Sequence, residues 1–437
     1  MKKIKNVTVI GANGTMGRNI SAVFAAFGNT NVYMVSRSLE KSEEAKKKAL
    51  QSVRAESIGM KLFPADYSLL SECVTKSDLI IECVAENWDI KCEVHHEIAQ
   101  SCNEDTIICT GTSGLSVTGI AEIYSEHMRK NVIGMHFFNP PYNMVLCELI
   151  PTKYTDNELL NDVKEYSNRI LKRTSVVVKD MPAFLGNRIG FQFINEALQY
   201  AEKYRFNGGI DYIDALLGPF TGRAMPPLVT SDFVGLDVHK AIVDNLYENT
   251  NDYVHDTFVM PEFAIELIRA GKLGRKAGEG LYKTVKMDDG KKVRLVYDIE
   301  HKKYREIVKY SFPFIEGIVE YLKTGDYELA FNTLKSDGSN EAKLCLEFIL
   351  KYIVYSLYTS ILLGDSADSA DDVMVTGFNW CAPLGMVEAL GGKVEFIMLC
   401  KKYLNDELLA GADFDNLIKA IKSSKYDFRR YIRAHRK

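Results

Sequence analysis

At roughly 100–200 residues per domain, a chain of 437 residues holds two to four domains. Its 46% hydrophobic and 26% charged residues are ordinary for a globular protein. A net charge of −4, with a pI of about 6.1, gives no reason to expect nucleic acid or an anionic membrane as partner. Nine cysteines, an odd number without C-x-x-C or zinc spacing, argue against a disulfide framework and a metal site, and fit a reducing cytoplasm. No stretch approaches the ~18 uninterrupted apolar residues of a membrane span. The first apolar run is too short for a signal-peptide core.

Residues 1–180 alternate strands and helices. Val7–Ile10 is a β-branched run, followed by a glycine-rich turn from Gly11 to Gly17. Met16, Ile20, Val23, Phe24 and Phe27 then recur at helical spacing, and Gly28-Asn29 stops that helix. Further strands are expected at Val32–Val35, Leu79–Val84, Thr106–Cys109, Val132–Met135 and Ser175–Val178. This alternation predicts an α/β fold, a Rossmann-like doubly wound parallel sheet.

Beyond Asp180-Met181-Pro182 helical periodicity takes over, as in Phe191, Ile194, Leu198 and Ala201. The polar stretch after Lys283 reads as a connector, with a hairpin turn at Asp289-Gly290. Helices resume near Asn340. Tyr212–Gly218 is echoed by Asp371–Gly377, and Ser231–Asp237 by Val387–Gly392, so the all-α region reads as two similar helical units. The expected organisation is a dinucleotide-binding domain at 1–180, a first helical domain at 181–284, a connector with a β-hairpin at 285–339 and a second helical domain at 340–437.

Gly11, Gly14 and Gly17, with Thr15 and Met16 between them, lie between a strand and a helix. Glycines there let the backbone approach a pyrophosphate seated on the helix N-terminal amides. The second strand ends in Ser36-Arg37-Ser38, without the carboxylate that usually binds a ribose 2′-hydroxyl. Arg37 can form a fork to a 2′-phosphate with Ser36 and Ser38 adding hydroxyls, which favours NADP over NAD. The other reading leaves Arg37 as a solvated loop residue in an NAD site.

Val132–Met135 runs into His136, and twelve residues later Glu148 sits within the apolar run Val145–Ile150. A carboxylate in such a run needs a partner, and a histidine is the natural one. Removing hydride from an alcohol carbon requires a base for the hydroxyl proton, a role that imidazole suits. From spacing alone, a lone histidine at a strand end is more often a satisfied structural residue.

The segment HFFNPP at 136–141 with Glu148, IECVAEN at 81–87 with Lys91, Thr112-Ser113, DMPAFLGNR at 180–188 and LGRKAGEGLYK at 273–283 together resemble the L-3-hydroxyacyl-CoA dehydrogenase family over essentially the whole chain. The resemblance implies interconversion of 3-hydroxyacyl-CoA and 3-ketoacyl-CoA thioesters with NAD(P) and no metal. It implies His136 as general base, Glu148 as its partner, Ser113 as the hydroxyl on the reacting oxygen and Asn187 as a positioning amide. It also implies that Glu86, Lys91 and Lys276 lie on the cofactor. The tandem helical units resemble the longer members, which carry the C-terminal domain twice, so that a second copy in cis could replace the contact that shorter members make across a homodimer. The expected state is a monomer with an internal pseudo-dimer, or a homodimer.

Four features depart from the family pattern: the longer glycine turn, Ser36, Gly111 in place of Asn, and Ala183 in place of Gly. Lys41, Lys46, Lys47 and Arg54 are either contacts for CoA phosphates or one solvated helix face. Two other functions stay open: a dehydrogenase of small free hydroxy acids of the gulonate type, and a non-catalytic relative like the lens crystallins of this family.

Overall fold

The computed structural model describes residues 3–223, 225–287 and 290–427. The chain divides into two compact units, Met1–Phe184 with Leu363–Asp365, and Leu185–Leu362 with Ser366–Lys437.

The first unit runs β1 (Asn6–Ile10), α1 (Thr15–Ala26), β2 (Asn31–Ser36), α2 (Leu39–Val53), β3 (Leu62–Asp66), α3 (Leu70–Thr75), β4 (Leu79–Glu82) and α4 (Trp88–Ser101). It continues with β5 (Ile107–Thr110), α5 (Val117–Ala121), β6 (Val132–Phe137), β7 (Leu146–Pro151), α6 (Asn157–Glu165) and β8 (Thr174–Val177). The eight strands form one sheet in the order β3-β2-β1-β4-β5-β6-β7-β8. The first six follow the classical dinucleotide-binding order.

Both faces are covered, and the strand residues alternate between two cores. Val7, Val9, Leu79, Ile81, Ile107 and Cys109 pack with Phe24, Ala45 and Val163 on one side. Ile10, Ile80 and Ile108 pack with Leu70, Val94, Ile98 and Ile120 on the other. That explains why these strands read as unbroken apolar runs.

The sheet contains two strands that the sequence reading did not assign. β3 carries Pro64, which removes a ladder donor and hides the strand from a propensity reading; it pairs only with β2, at the sheet edge where proline is tolerated. β7 is the apolar run around Glu148, and it pairs antiparallel with β6, so the sheet is not wholly parallel. On the far edge, Gly364 bridges Val178, and Lys179 N donates to Leu363 O at 2.9 Å.

The second unit is helical apart from a three-stranded sheet. It contains α7 (Gly186–Lys203), α8 (Ile210–Leu216), α9 (Pro227–Val234), α10 (Leu236–Asn249) and α11 (Glu262–Arg269). Strands β9 (Tyr282–Lys286), β10 (Lys292–Asp298) and β11 (Lys303–Glu306) follow, then α12 (Pro313–Thr324), α13 (Tyr327–Ser336), α14 (Asn340–Leu363), α15 (Ser369–Phe378), α16 (Pro383–Ala389) and α17 (Lys393–Tyr403). The expected hairpin is present as the antiparallel β9–β10 pair, with Asp289 of its turn outside the described residues. The stretch 285–339 is more than a connector, however. A third strand and two helices occupy it, with Phe314, Ile318 and Leu322 buried along one face of α12.

The two segments of the sequence echo share a capping contact. Asp214 accepts from the amides of Leu228 at 2.8 Å and Val229 at 3.1 Å, capping the proline-started α9. Asp371 accepts from Leu384 N at 2.9 Å and caps the proline-started α16. Asp232 then takes the amides of Leu281 and Tyr282, while Glu388 takes that of Ser424. Asp214 is therefore the counterpart of Asp371, whereas the sequence echo sets Tyr212 opposite it, a slip of two residues. The two halves share one aromatic core. Phe193 of α7 meets Phe348 at 5.5 Å, Tyr352 at 6.0 Å and Trp380 at 5.5 Å. The buried Arg223 guanidinium lies 3.6 Å from the Phe193 ring centroid and 4.8 Å from that of Trp380.

By length and composition α14 is long and apolar enough to cross a membrane, but 72% of its apolar window is buried inside the protein. Its Lys351 pairs with Glu196 at 2.8 Å and Glu347 at 2.6 Å.

Candidate active site

β6 and β7 place His136 directly opposite Glu148. His136 Nδ1 and Glu148 Oε2 are 2.7 Å apart, with side chains 5% and 0% exposed, so the pair is shielded from competing water. The imidazole also lies 4.6 Å from the Phe138 ring and 5.5 Å from that of Phe184. With Nδ1 engaged, Nε2 is the nitrogen left for a proton transfer. Burial pushes the adjacent Cys147 thiol up to about 12, so it stays protonated and is no competing nucleophile.

The glycine turn lies at the same, C-terminal edge of the sheet, after β1. Gly11 has φ +80, and a Cβ there would meet the Cys83 carbonyl oxygen at 2.6 Å. Gly14 leads into α1, whose first turn has neither a side-chain cap nor an acidic residue. The amides around Thr15, Met16 and Gly17 therefore suit a phosphate.

Ser36 ends β2 fully buried, and its hydroxyl has no hydrogen-bond partner among the described residues. Asp66, its register partner on β3, accepts through Oδ1 from the Ser68 amide at 3.0 Å and the Ser68 hydroxyl at 2.6 Å. Ser38 caps α2 through Lys41 N at 3.4 Å, and Arg37 is exposed. The glycine turn, the uncapped helix and the orphaned hydroxyl together fit a dinucleotide.

Residues 6–181 match the family model described as the 3-hydroxyacyl-CoA dehydrogenase NAD binding domain, and residues 184–284 match that of the 3-hydroxyacyl-CoA dehydrogenase C-terminal domain. The chain belongs to the 3-hydroxyacyl-CoA dehydrogenase family. A probable 3-hydroxyacyl-CoA dehydrogenase of Bacillus subtilis is 28% identical over 90% of this chain, which spans 52% of that longer relative. A probable 3-hydroxyacyl-CoA dehydrogenase of Caenorhabditis elegans is 34% identical over 65% of this chain and 94% of its own length. Among solved structures, (S)-3-hydroxybutyryl-CoA dehydrogenase of Ralstonia eutropha is 29% identical with a TM-score of 0.57, covering 63% of this chain and 98% of its own. The Escherichia coli 3-hydroxybutyryl-CoA dehydrogenase shares the fold over 96% of this chain and 100% of its own, at a TM-score of 0.68 and 21% identity.

The remaining residues of this family member fall into three groups. Ser113 lies three residues past β5, beside the strand that carries His136. It is Thr112, not Ser113, that caps the following turn, accepting from Leu115 N at 3.0 Å; the Ser113 hydroxyl makes no hydrogen bond among the described residues. Glu86 holds this loop, its Oε1 accepting from Thr112 Oγ1 at 2.6 Å and Ser113 N at 2.7 Å. Gly111 just upstream fits because a Cβ there would meet the Glu82 carbonyl oxygen at 3.0 Å.

Lys91 is not a surface residue facing solvent. It is buried, and its ammonium lies 2.8 and 3.0 Å from the two oxygens of Glu82 and 3.4 Å from Glu86. Glu82 and its neighbours were missed as site residues. Glu82 Oε1 also accepts from Val84 N at 2.6 Å; Oε2 accepts from Thr110 Oγ1 at 2.8 Å and lies 3.5 Å from His95 Nε2. Burial pushes the Glu82 carboxyl up, but His95 and the Lys91 ammonium outweigh it, leaving it at about 2. The signal was available. Glu82 sits in Leu79-Ile80-Ile81-Glu82-Cys83-Val84, an apolar run of the kind that drew attention to Glu148.

Asn187 and Lys276 belong to the second unit. Asn187 is buried in the first turn of α7. Lys276 pairs with Asp237 at 2.5 Å. Along α2, Lys41, Lys47 and Arg54 are exposed, while Ser42, Ala45 and Ala49 are buried.

Proposed function

We propose that this chain interconverts L-3-hydroxyacyl-CoA and 3-ketoacyl-CoA thioesters, using NADP(H) in preference to NAD(H). The observation that carries the chemistry is the shielded His136–Glu148 pair at the edge of the sheet where the glycine turn also opens. The substrate's 3-hydroxyl meets His136 Nε2 and the Ser113 hydroxyl. His136 takes the hydroxyl proton as the C3–H bond breaks, and Glu148 stabilises the resulting imidazolium through Nδ1. The nicotinamide, when bound, supplies the hydride acceptor. In the reductive direction the imidazolium returns its proton to the ketone oxygen.

The coenzyme preference rests on Ser36-Arg37-Ser38 at the start of α2. No carboxylate stands at the end of β2, and Arg37 makes no ion pair among the described residues. A 2′-phosphate would meet the Arg37 guanidinium and the Ser36 hydroxyl. We further propose that the enzyme acts in the cytoplasm, and as a monomer, with the second helical half standing where a shorter relative would place a second subunit.

Initial rates of acetoacetyl-CoA reduction with NADPH and with NADH, in the wild type and in His136→Ala, test both parts. Turnover that falls by about 10²-fold or more in the variant is expected. A wild type inactive with acetoacetyl-CoA and longer 3-ketoacyl-CoA thioesters, yet active on free hydroxy acids, would reject the thioester assignment. A preference for NADH would reject the coenzyme assignment alone.

A further inference from the structure

We propose that Glu82 is a positioning residue: acting through Lys91 and Glu86, it sets the backbone of Ser113. The inference rests on the role given above to the Ser113 hydroxyl, and it adds a relay that starts at the buried end of β4. Lys91 has three ammonium hydrogens. Two meet Glu82 Oε1 at 2.8 Å and Oε2 at 3.0 Å, and the third is left for Glu86 Oε2 at 3.4 Å. The Glu86 carboxylate is thereby divided. One oxygen faces the ammonium, and the other accepts from Thr112 Oγ1 and Ser113 N.

The burial of each member gives the relay its direction. Glu82 and Lys91 are 0% and 1% exposed, whereas the Glu86 side chain is 43% exposed. An exposed glutamate on its own samples several rotamers in water. Lys91 is fixed by the Glu82 grip, and Glu82 is fixed by Val84 N, two residues past β4, and by Thr110 Oγ1 at the end of β5. Lys91 stays charged, because the Glu82 and Glu86 carboxylates outweigh the effect of its burial. Burying a lysine and a glutamate together seldom adds stability over apolar packing, so a buried pair at this place fits the fixing of a geometry.

The test uses the full chain without coenzyme and reads amide hydrogen exchange in the segment 111–116. In Glu82→Gln and Lys91→Met, exchange there is expected to rise about tenfold or more, the weight of a charge-assisted hydrogen bond, while β1 and β6 keep wild-type protection. Should Glu82→Gln fail to fold, Glu86→Gln, altered at a half-exposed site, must show the same local rise. Wild-type exchange at 111–116 in a folded variant would overturn the proposal.

A kinetic cycle gives the second arm. Glu82→Gln should lower kcat about tenfold in the wild type and have little effect in a Ser113→Ala background, since a misplaced hydroxyl matters only where there is one. Equal losses in both backgrounds would also overturn the relay. A wild type that turns over no acyl-CoA refutes the proposed function and leaves the exchange experiment to decide the relay.

Discussion

Glu148 Oε2 lies 2.7 Å from His136 Nδ1 because the antiparallel register of β6 and β7 sets the two residues directly opposite each other. Two rigid strands therefore hold the contact, and no loop has to close to make it. The chemical consequence is a defined tautomer, with the proton on Nδ1 and Nε2 open to a substrate hydroxyl. In Glu148→Gln the amide can present its NH₂ to Nδ1 and favour the opposite tautomer. We expect kcat to fall by about 10²-fold or more with little change in KM for the thioester. Steady-state kinetics in both directions check this; a variant that keeps wild-type kcat would remove Glu148 from the mechanism.

The coenzyme assignment makes an asymmetric prediction. Arg37→Ala should weaken NADPH binding by roughly 10- to 100-fold, the weight of a charge-assisted fork to phosphate, and leave NADH binding unchanged. Ser36→Asp should act in the opposite sense, repelling the 2′-phosphate and supplying the carboxylate that a ribose 2′-hydroxyl uses. Quenching of coenzyme fluorescence on titration measures both constants. Equal weakening of the two coenzymes by Arg37→Ala would show that the residue does not read the 2′ position.

Much of this architecture was legible in the sequence, and the gaps have physical causes. β1, β2, β4, β5 and β6 announce themselves because strands buried on both faces need unbroken apolar runs, and the edge strand β8 by its β-branched Val176-Val177. β3 was hidden by Pro64, since an edge strand tolerates what propensity forbids. The helices at 313–336 were overlooked beside a long polar stretch, although Phe314, Ile318 and Leu322 recur every four residues. At the site, the His136–Glu148 pairing followed from one buried carboxylate needing one partner. Glu82 satisfies the same rule, but its partners Lys91, Thr110 and His95 come from two other elements, and only the folded sheet brings them together. The repeat was visible in motif but not in register, because register is set by which aspartate caps which helix.

Ala183 occupies a left-handed conformation, with φ +58, at a place where the family pattern has glycine. Its methyl is buried, and the next residue, Phe184, is also left-handed at φ +51. An L-residue there carries a strain of roughly 1–2 kcal/mol, which glycine would relieve at some cost in unfolded-chain entropy. Ala183→Gly is therefore expected to stabilise the protein by about 0.5–1 kcal/mol. Urea unfolding of the two proteins side by side measures it, and a destabilised variant would show that the lost methyl packing outweighs the strain.

The caps of the helical repeat predict a pH dependence. Burial pushes the Asp214 carboxyl up to about 7, against the pull of the Tyr282 hydroxyl and the Leu228 and Val229 amides. Burial likewise raises Asp232 and Asp371 to about 6. A carboxyl whose folded pKa lies above its unfolded value of about 4 keeps a proton in the folded state that the unfolded chain releases. Its stabilising contribution is full below pH ~4 and is lost as pH rises through the folded value. Stability of the second unit should therefore fall between pH ~4 and ~7, by at most about 1.4 kcal/mol per pH unit for each proton involved. Asp214→Asn cannot titrate and should flatten the upper part of that slope, even though it weakens the cap at every pH. Trp380, buried in the aromatic core of this unit, is the natural reporter once the partly exposed Trp88 is replaced by phenylalanine. Denaturant midpoints from pH 5 to 8 that decline equally in wild type and Asp214→Asn would show that Asp214 is ionised throughout the range.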